Sequence, residues 1–166
     1  MLCALVGLRR GEALTLQFSD LDLERGTLKV ERTLYNGECS APKTPSSRRT
    51  LTLPQRAREA LVIRYASASD GDGYLFATSG GNPVDVSNFY KWSWKPALRR
   101  AGLPETLTPH HLRHGTASWL LNQNIPVPVV GRYLGHANPR HHDEGLRPLI
   151  DGTGGMAATG MDEALG

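Results

Sequence analysis

No stretch of this sequence approaches the ~20 consecutive apolar residues that a membrane-spanning helix needs, so no span is expected within it. Cysteine is scarce. Cys3 and Cys39 are too few for a disulfide framework, which makes a reducing, cytoplasmic location the expectation. Met1 runs at once into the apolar Leu2 to Gly7, with neither a basic leader nor a cleavage site, so no secretory signal is expected. Aromatic residues make up only 7%, and there is no internal repeat. What is present fits a soluble globular domain: 166 residues, 39% hydrophobic and 21% charged. A chain of this length can bury roughly 70% of its unfolded surface without disulfide or metal staples.

The net charge of +3 hides an uneven distribution. Residues 137–166 carry Arg140 and Arg147 against Asp143, Glu144, Asp151, Asp162 and Glu163, a net of −3, together with six glycines. Residues 1–136 therefore carry +6. A basic body suits an anionic partner. The composition shift predicts a boundary near Ala137, with residues 1–138 as one domain and 139–166 as a poorly ordered tail.

Along the body, the leucine spacing from Leu2 to Leu16 reads as a helix already under way, with Arg9, Arg10, Gly11 and Glu12 at its end. Thr27–Arg32 and Arg49–Leu53 alternate as strands, separated by turns at Asn36-Gly37 and Pro42–Pro45, which predicts a small antiparallel sheet. Pro54 should open a helix that buries Ala57, Ala60 and Leu61. Val86 to Arg100 reads as a helix with Phe89, Trp92 and Leu98 inward, stopped by Gly102. Thr108-Pro109 is a strong helix start, followed by a buried stripe of Leu112, Thr116, Trp119 and Leu120. A short helix near Pro126 should end at Gly135. The fold class is α+β, mostly helical with one small sheet.

The chemistry concentrates in Thr108–His114. His110 and Arg113 stand three apart near a helix N-terminus, whose free N–H groups already favour an anion. This is either an anion pocket, most naturally for a phosphate, or a histidine-rich helix start at a surface. His136 after Leu134-Gly135 reads as a C-cap, Arg9-Arg10 as a solvated pair with Glu12 nearby, and Lys43 as a turn lysine.

Taken together and in order, VGLRRGEALTLQFSDLDLERGTLKV, APKTPSSRRTLTLP, LTPHHLRHGTASWLL and VVGRYLGHAN resemble the catalytic domain of the tyrosine recombinase (phage integrase) family. The resemblance implies a DNA-cleaving and rejoining enzyme without metal or nucleotide cofactor, working on double-stranded DNA through a 3′-phosphotyrosyl link. By the motif match, Arg9 and Arg113 are the two phosphate-gripping arginines. Lys43 protonates the leaving 5′-oxygen, His110 is the general base, and His136 donates to the phosphate. Glu12 supports Arg9, and His114 packs or hydrogen-bonds behind the site. His111 stands where aspartate is common and receives no role. The resemblance also implies a nucleoid-associated protein, tetramers on paired sites and a separate helical DNA-binding domain ahead of the catalytic one. Eight residues precede Arg9 here, so a truncated domain is expected.

The family's nucleophilic tyrosine lies nine or ten residues after the histidine of LGH, where this sequence has Gly145 and Leu146. No tyrosine follows Tyr133, which is expected to pack. Codons allowed for residues 140–149, shifted by one base near Arg140 and restored near Pro148, read Arg-Thr-Thr-Met-Lys-Val-Tyr-Ala-His-Leu, the family's segment, with a tyrosine in place of Leu146. Three readings follow: a recombinase domain with an altered tail, probed by covalent capture on DNA; a non-catalytic DNA-binding remnant of a mobile-element integrase; and a phosphate-binding or nuclease-like protein of another kind.

Overall fold

The computed structural model describes residues 1–135 apart from 43, 45, 46 and 69–72. Lys43, Gly145, Leu146, His136 and the boundary expected near Ala137 all lie outside the described residues.

The opening is not one helix. It is two short ones, α1 (Leu2–Leu5) and α2 (Arg10–Leu14), with a 3-10 turn over Phe18–Asp20. The break falls at Gly7, whose φ of +68° is left-handed. A Cβ there would lie 2.6 Å from a Leu134 methyl carbon, so the glycine serves both the turn and the close packing. Most of the leucine spacing still holds, because Leu2, Leu8, Leu14 and Leu16 are buried and Leu5 packs half-buried against them. The consequence for the site is that Arg9 caps the start of α2 instead of closing a longer helix.

Strands β1 (Leu21–Asp22), β2 (Thr27–Val30) and β5 (Arg49–Thr52) form an antiparallel sheet in the order β1-β2-β5. Leu28 pairs with Leu51, and Leu28, Val30 and Leu51 face the core. Between them, β3 (Thr33–Tyr35) and β4 (Glu38–Ser40) make a separate hairpin. Asn36 and Gly37 take φ of 50° and 82°, the pair of positive values that a tight two-residue hairpin turn requires.

Helix α3 (Gln55–Ala66) starts after Pro54, which sits at the cap and not inside the first turn, and buries Ala57 and Leu61 on the sheet. The predicted helix from Val86 to Arg100 is present but interrupted. The α-helical turns α4 (Val86–Phe89) and α5 (Lys95–Arg100) flank a π-helical stretch at Tyr90–Trp94. The wider turn shifts the phase of the buried face. Trp92, expected inward, is instead 69% exposed, and Trp94 turns in to donate from Nε1 to the Leu107 carbonyl at 2.8 Å. Leu98 is buried as expected, and Gly102 follows with φ +65°.

Helix α6 (Pro109–Asn122) begins at Thr108 with proline in its first turn, as the sequence predicts. Thr108 and His111 complete a reciprocal cap: His111 N donates to Thr108 Oγ1, and Thr108 N donates to His111 Nδ1 at 3.0 Å. A ring nitrogen thus does what a glutamate or glutamine usually does at this position. Helix α7 (Val127–Tyr133) packs Val130 and Tyr133 into the same core as Leu120 of α6 and Leu8. Among the described residues, no helix is long and apolar enough to cross a membrane.

Candidate functional site

Four chain segments converge beside the start of α2: the Gly7–Glu12 turn, Arg49 at the start of β5, the first turns of α6, and the Leu134-Gly135 end of α7. The centre is Glu12, which is only 2% exposed. Its carboxylate takes both forks of Arg49, at 3.1 and 3.0 Å, the Arg9 side chain at 2.8 Å and the Arg9 backbone N–H at 2.8 Å. Burial pushes this carboxyl up. The hydrogen bonds and charge of Arg49, followed by the hydrogen bonds of Arg9, outweigh it and hold it below the usual carboxylate range.

Arg9 completes its fork by donating from Nη2 to the Gly135 carbonyl at 2.7 Å. Its side chain keeps 37% exposure, so it is anchored at its base and open at its edge. Arg113 is held more deeply. It is 2% exposed and donates from Nη1 to the Gly7 carbonyl and from Nη2 to the Leu134 carbonyl. Burial, and then the positive charge of Arg9, lower its pKa to about 10, so it remains charged at neutral pH. A guanidinium has five N–H donors, so each Nη bonded to a carbonyl still has a second N–H to offer.

Arg49 is the functional residue that the sequence does not announce. It reads as a strand residue in RTLTL. In the fold it donates from Nε to the Tyr133 carbonyl at 2.8 Å while its two Nη groups hold Glu12. It therefore ties the sheet, α2 and α7 together. Gly135, at φ +70°, gives it room, because a Cβ there would sit 2.8 Å from Arg49 Nη1.

His110 and Arg113 do not project together as their spacing suggests. Arg113 points into the body, whereas His110 is exposed. They remain electrostatic neighbours. Burial first, then His114, Arg113, His111 and Arg9, lower the His110 pKa below its ordinary value. His114 is exposed at the rim and not behind the site, with its Nε2 2.9 Å from His110 Nε2. Tyr133 is buried, and that burial raises its phenol to about 12, which keeps it neutral and apart from the open edge. Of the expected site residues, the structure thus brings together Arg9, Glu12 and Arg113, with His110 exposed on the first turn of α6 within reach of the arginines' charge.

A family model described as "Phage integrase family" matches residues 1–143. The chain belongs to the phage integrase family. Among curated relatives, it is 32% identical over 158 residues to a "Tyrosine recombinase XerC-like" protein of Caldanaerobacter subterraneus subsp. tengcongensis, covering 80% of this chain and 40% of that protein. It is 28% identical over 153 residues to the integrase of Staphylococcus phage L54a, covering 82% of this chain and 43% of the relative. The chain thus spans about two fifths of the length of these integrase relatives.

In structure, it matches the Tn1549 transposon integrase solved in complex with a circular-intermediate DNA, with a TM-score of 0.70 and 24% identity over 82% of this chain and 49% of that one. XerA recombinase matches with a TM-score of 0.65 and 24% identity over 92% and 55%. At this identity the structural likeness is one of fold: the mostly helical domain with a small antiparallel sheet expected from the sequence. The relatives themselves are named as integrases and recombinases.

Proposed function

We propose that this chain is the catalytic domain of a site-specific DNA recombinase, and that it grips a DNA phosphate in the pocket around Arg9 and Arg113. The observation that carries the reading is the fixing of two guanidinium groups. Both are anchored by backbone carbonyls, and one is also held by a buried carboxylate. Preset donors of this kind stabilise charge that develops on the non-bridging oxygens of a phosphate without reorganising during the reaction.

In this assignment Glu12 positions Arg9, while Arg9 and Arg113 bind the two non-bridging oxygens. His110, whose protonated form is disfavoured by burial and then by its basic neighbours, is ready to take a proton from the attacking hydroxyl. Lys43 supplies the proton to the leaving 5′-oxygen, and His136 adds a donor to the phosphate. No cofactor takes part. The nucleophile is the missing part: Gly145 and Leu146 occupy the tyrosine's place, so the chain with this sequence binds DNA without cleaving it. The absent tyrosine favours the reading of a non-catalytic DNA-binding remnant over an active recombinase. A tetramer on paired sites belongs to the active form, and the altered tail argues against it here.

Incubation with a nicked suicide DNA substrate tests this. The expected result is binding whose logarithm falls by roughly 0.9 per decade of salt for each phosphate contacted, with no covalent adduct. Arg9→Ala should weaken that binding, and Leu146→Tyr is the variant in which an adduct should first be seen. A covalent adduct with the unaltered chain would overturn the inactive reading. Equal affinity in Arg9→Ala would overturn the pocket. The gene's codons for residues 140–149 test the paired base shifts separately.

A further inference from the structure

Beside the proposed phosphate site stands a feature that the DNA reading uses only in part. His110 and His114 stand one turn apart on α6, both exposed, with their rings in a tilted edge contact at 4.3 Å between centroids and their Nε2 atoms 2.9 Å apart. We propose that these two imidazoles form a binding site for a divalent transition-metal ion of the Ni2+ or Cu2+ type.

The argument is first one of bite. Metal–nitrogen bonds of about 2.0–2.1 Å that meet at a right angle place the two nitrogens about 2.9 Å apart, whereas a tetrahedral angle spreads them to about 3.3 Å. The observed separation fits adjacent positions in a square-planar or octahedral sphere, the geometry of Cu2+ and Ni2+. In the metal-free chain the same contact is an Nε2–H···N hydrogen bond, which holds both nitrogens at the chelating distance before an ion arrives. Because the partner residues are i and i+4 on a helix, the backbone sets this spacing.

The protonation state suits the ion as well. A histidine ligates only as the neutral ring, and burial together with the charges of His114, Arg113, His111 and Arg9 disfavours the protonated form of His110. The same arginines repel a dication, which limits the site to metals with strong imidazole affinity, and copper stands at the top of that order. Among the described residues there is no group of three or more histidine, cysteine, aspartate or glutamate side chains able to hold a metal. The described residues thus supply two ligands to the ion. An ion there takes the lone pair that a general base needs. That consequence rests on the proposed function of His110, whereas the binding itself does not.

The test is a titration of the full chain with Ni2+, competed against a coloured chelator, with no DNA present. One ion per chain is expected. The affinity should fall roughly tenfold or more in both His114→Gln and His110→Gln, since losing a ligand costs at least as much as losing a supporting contact. It should be unchanged when His136, His141 and His142 are all replaced by glutamine. In the unaltered chain, substoichiometric Cu2+ should broaden the imidazole signals of His110 and His114 before those of the other histidines, a readout that needs no variant to fold. Absence of one-to-one binding, unchanged affinity in His114→Gln, or loss of affinity in the triple substitution would overturn the site.

Discussion

On the floor of the proposed phosphate site, Glu12 and Arg113 are almost out of water, and they are held by partners from α2, the sheet and α7. At the rim, His110 and His114 are exposed and lean on each other. Both groups belong to the same few turns of chain, yet their environments differ in kind. The floor places charge where desolvation is costly, so every charge must keep its partner. The rim leaves its groups titratable and accessible to a ligand. A buried ion network fixes geometry, and an exposed histidine pair keeps chemistry adjustable.

The sharpest way to break this contrast is to remove the floor's carboxylate. Glu12→Ala leaves the buried Arg49 and the half-buried Arg9 without their shared partner, and the expected cost is about 3–5 kcal/mol in chemical unfolding. The same carboxylate sets a pH dependence. Its folded pKa lies below the ordinary value, so its contribution is fully present above the ordinary carboxylate range. That contribution is lost as the pH falls through the folded value. Glu12→Gln should flatten this part of the acid limb. A variant that unfolds no more easily than the parent would show that the floor is not held by charge.

Gly7→Ala tests the backbone side of the floor. It asks an L side chain to adopt φ +68°, at about 1–2 kcal/mol, and to enter a site where Leu134 already sits 2.6 Å away, which adds an overpacking cost of about 1–3 kcal/mol. Because the Gly7 carbonyl receives Arg113, DNA binding should weaken together with stability. A stable Gly7→Ala protein with unchanged unfolding would separate the turn from the site.

Some of this was legible in the sequence, and the residues show why the rest was not. Thr108-Pro109 and Asn36-Gly37 carry their geometry locally, in a cap and a turn that need no tertiary partner, and both form where expected. Arg9, Glu12, His110 and Arg113 were legible as a set through the motif order. The unequal burial of His110 and Arg113 was not, because helical spacing gives a shared face but not which neighbour closes over it. Trp92 was misplaced because a π turn shifts the helical phase, and periodicity assumes that phase is constant. Arg49 went unseen because its importance comes from Glu12 and Tyr133, which are 37 and 84 residues away in sequence.

Between floor and rim lies the cap of α6. Thr108→Ala removes the hydroxyl that accepts the His111 N–H, and it should cost about 1 kcal/mol, less than either floor substitution. A larger loss, with His110 displaced in its NMR spectrum, would mean that the cap also sets the rim.

The smallest effect on stability belongs to the rim itself. His114→Gln removes an exposed ring that contacts His110, and its unfolding transition should stay close to the parent's. Its effect should be seen in titration instead. After burial, His114 is the leading influence that holds the His110 pKa down, so its removal should raise that pKa towards the ordinary histidine value. The sign follows from charge: a neighbour that can itself become positive disfavours protonation of His110, and glutamine cannot. Arg113, His111 and Arg9 remain in the variant, so the recovery should be partial. An NMR titration of the His110 imidazole reads this directly. A His110 pKa that falls, or an unfolding midpoint that drops as far as in Glu12→Ala, would place His114 with the floor and erase the distinction between the two regions.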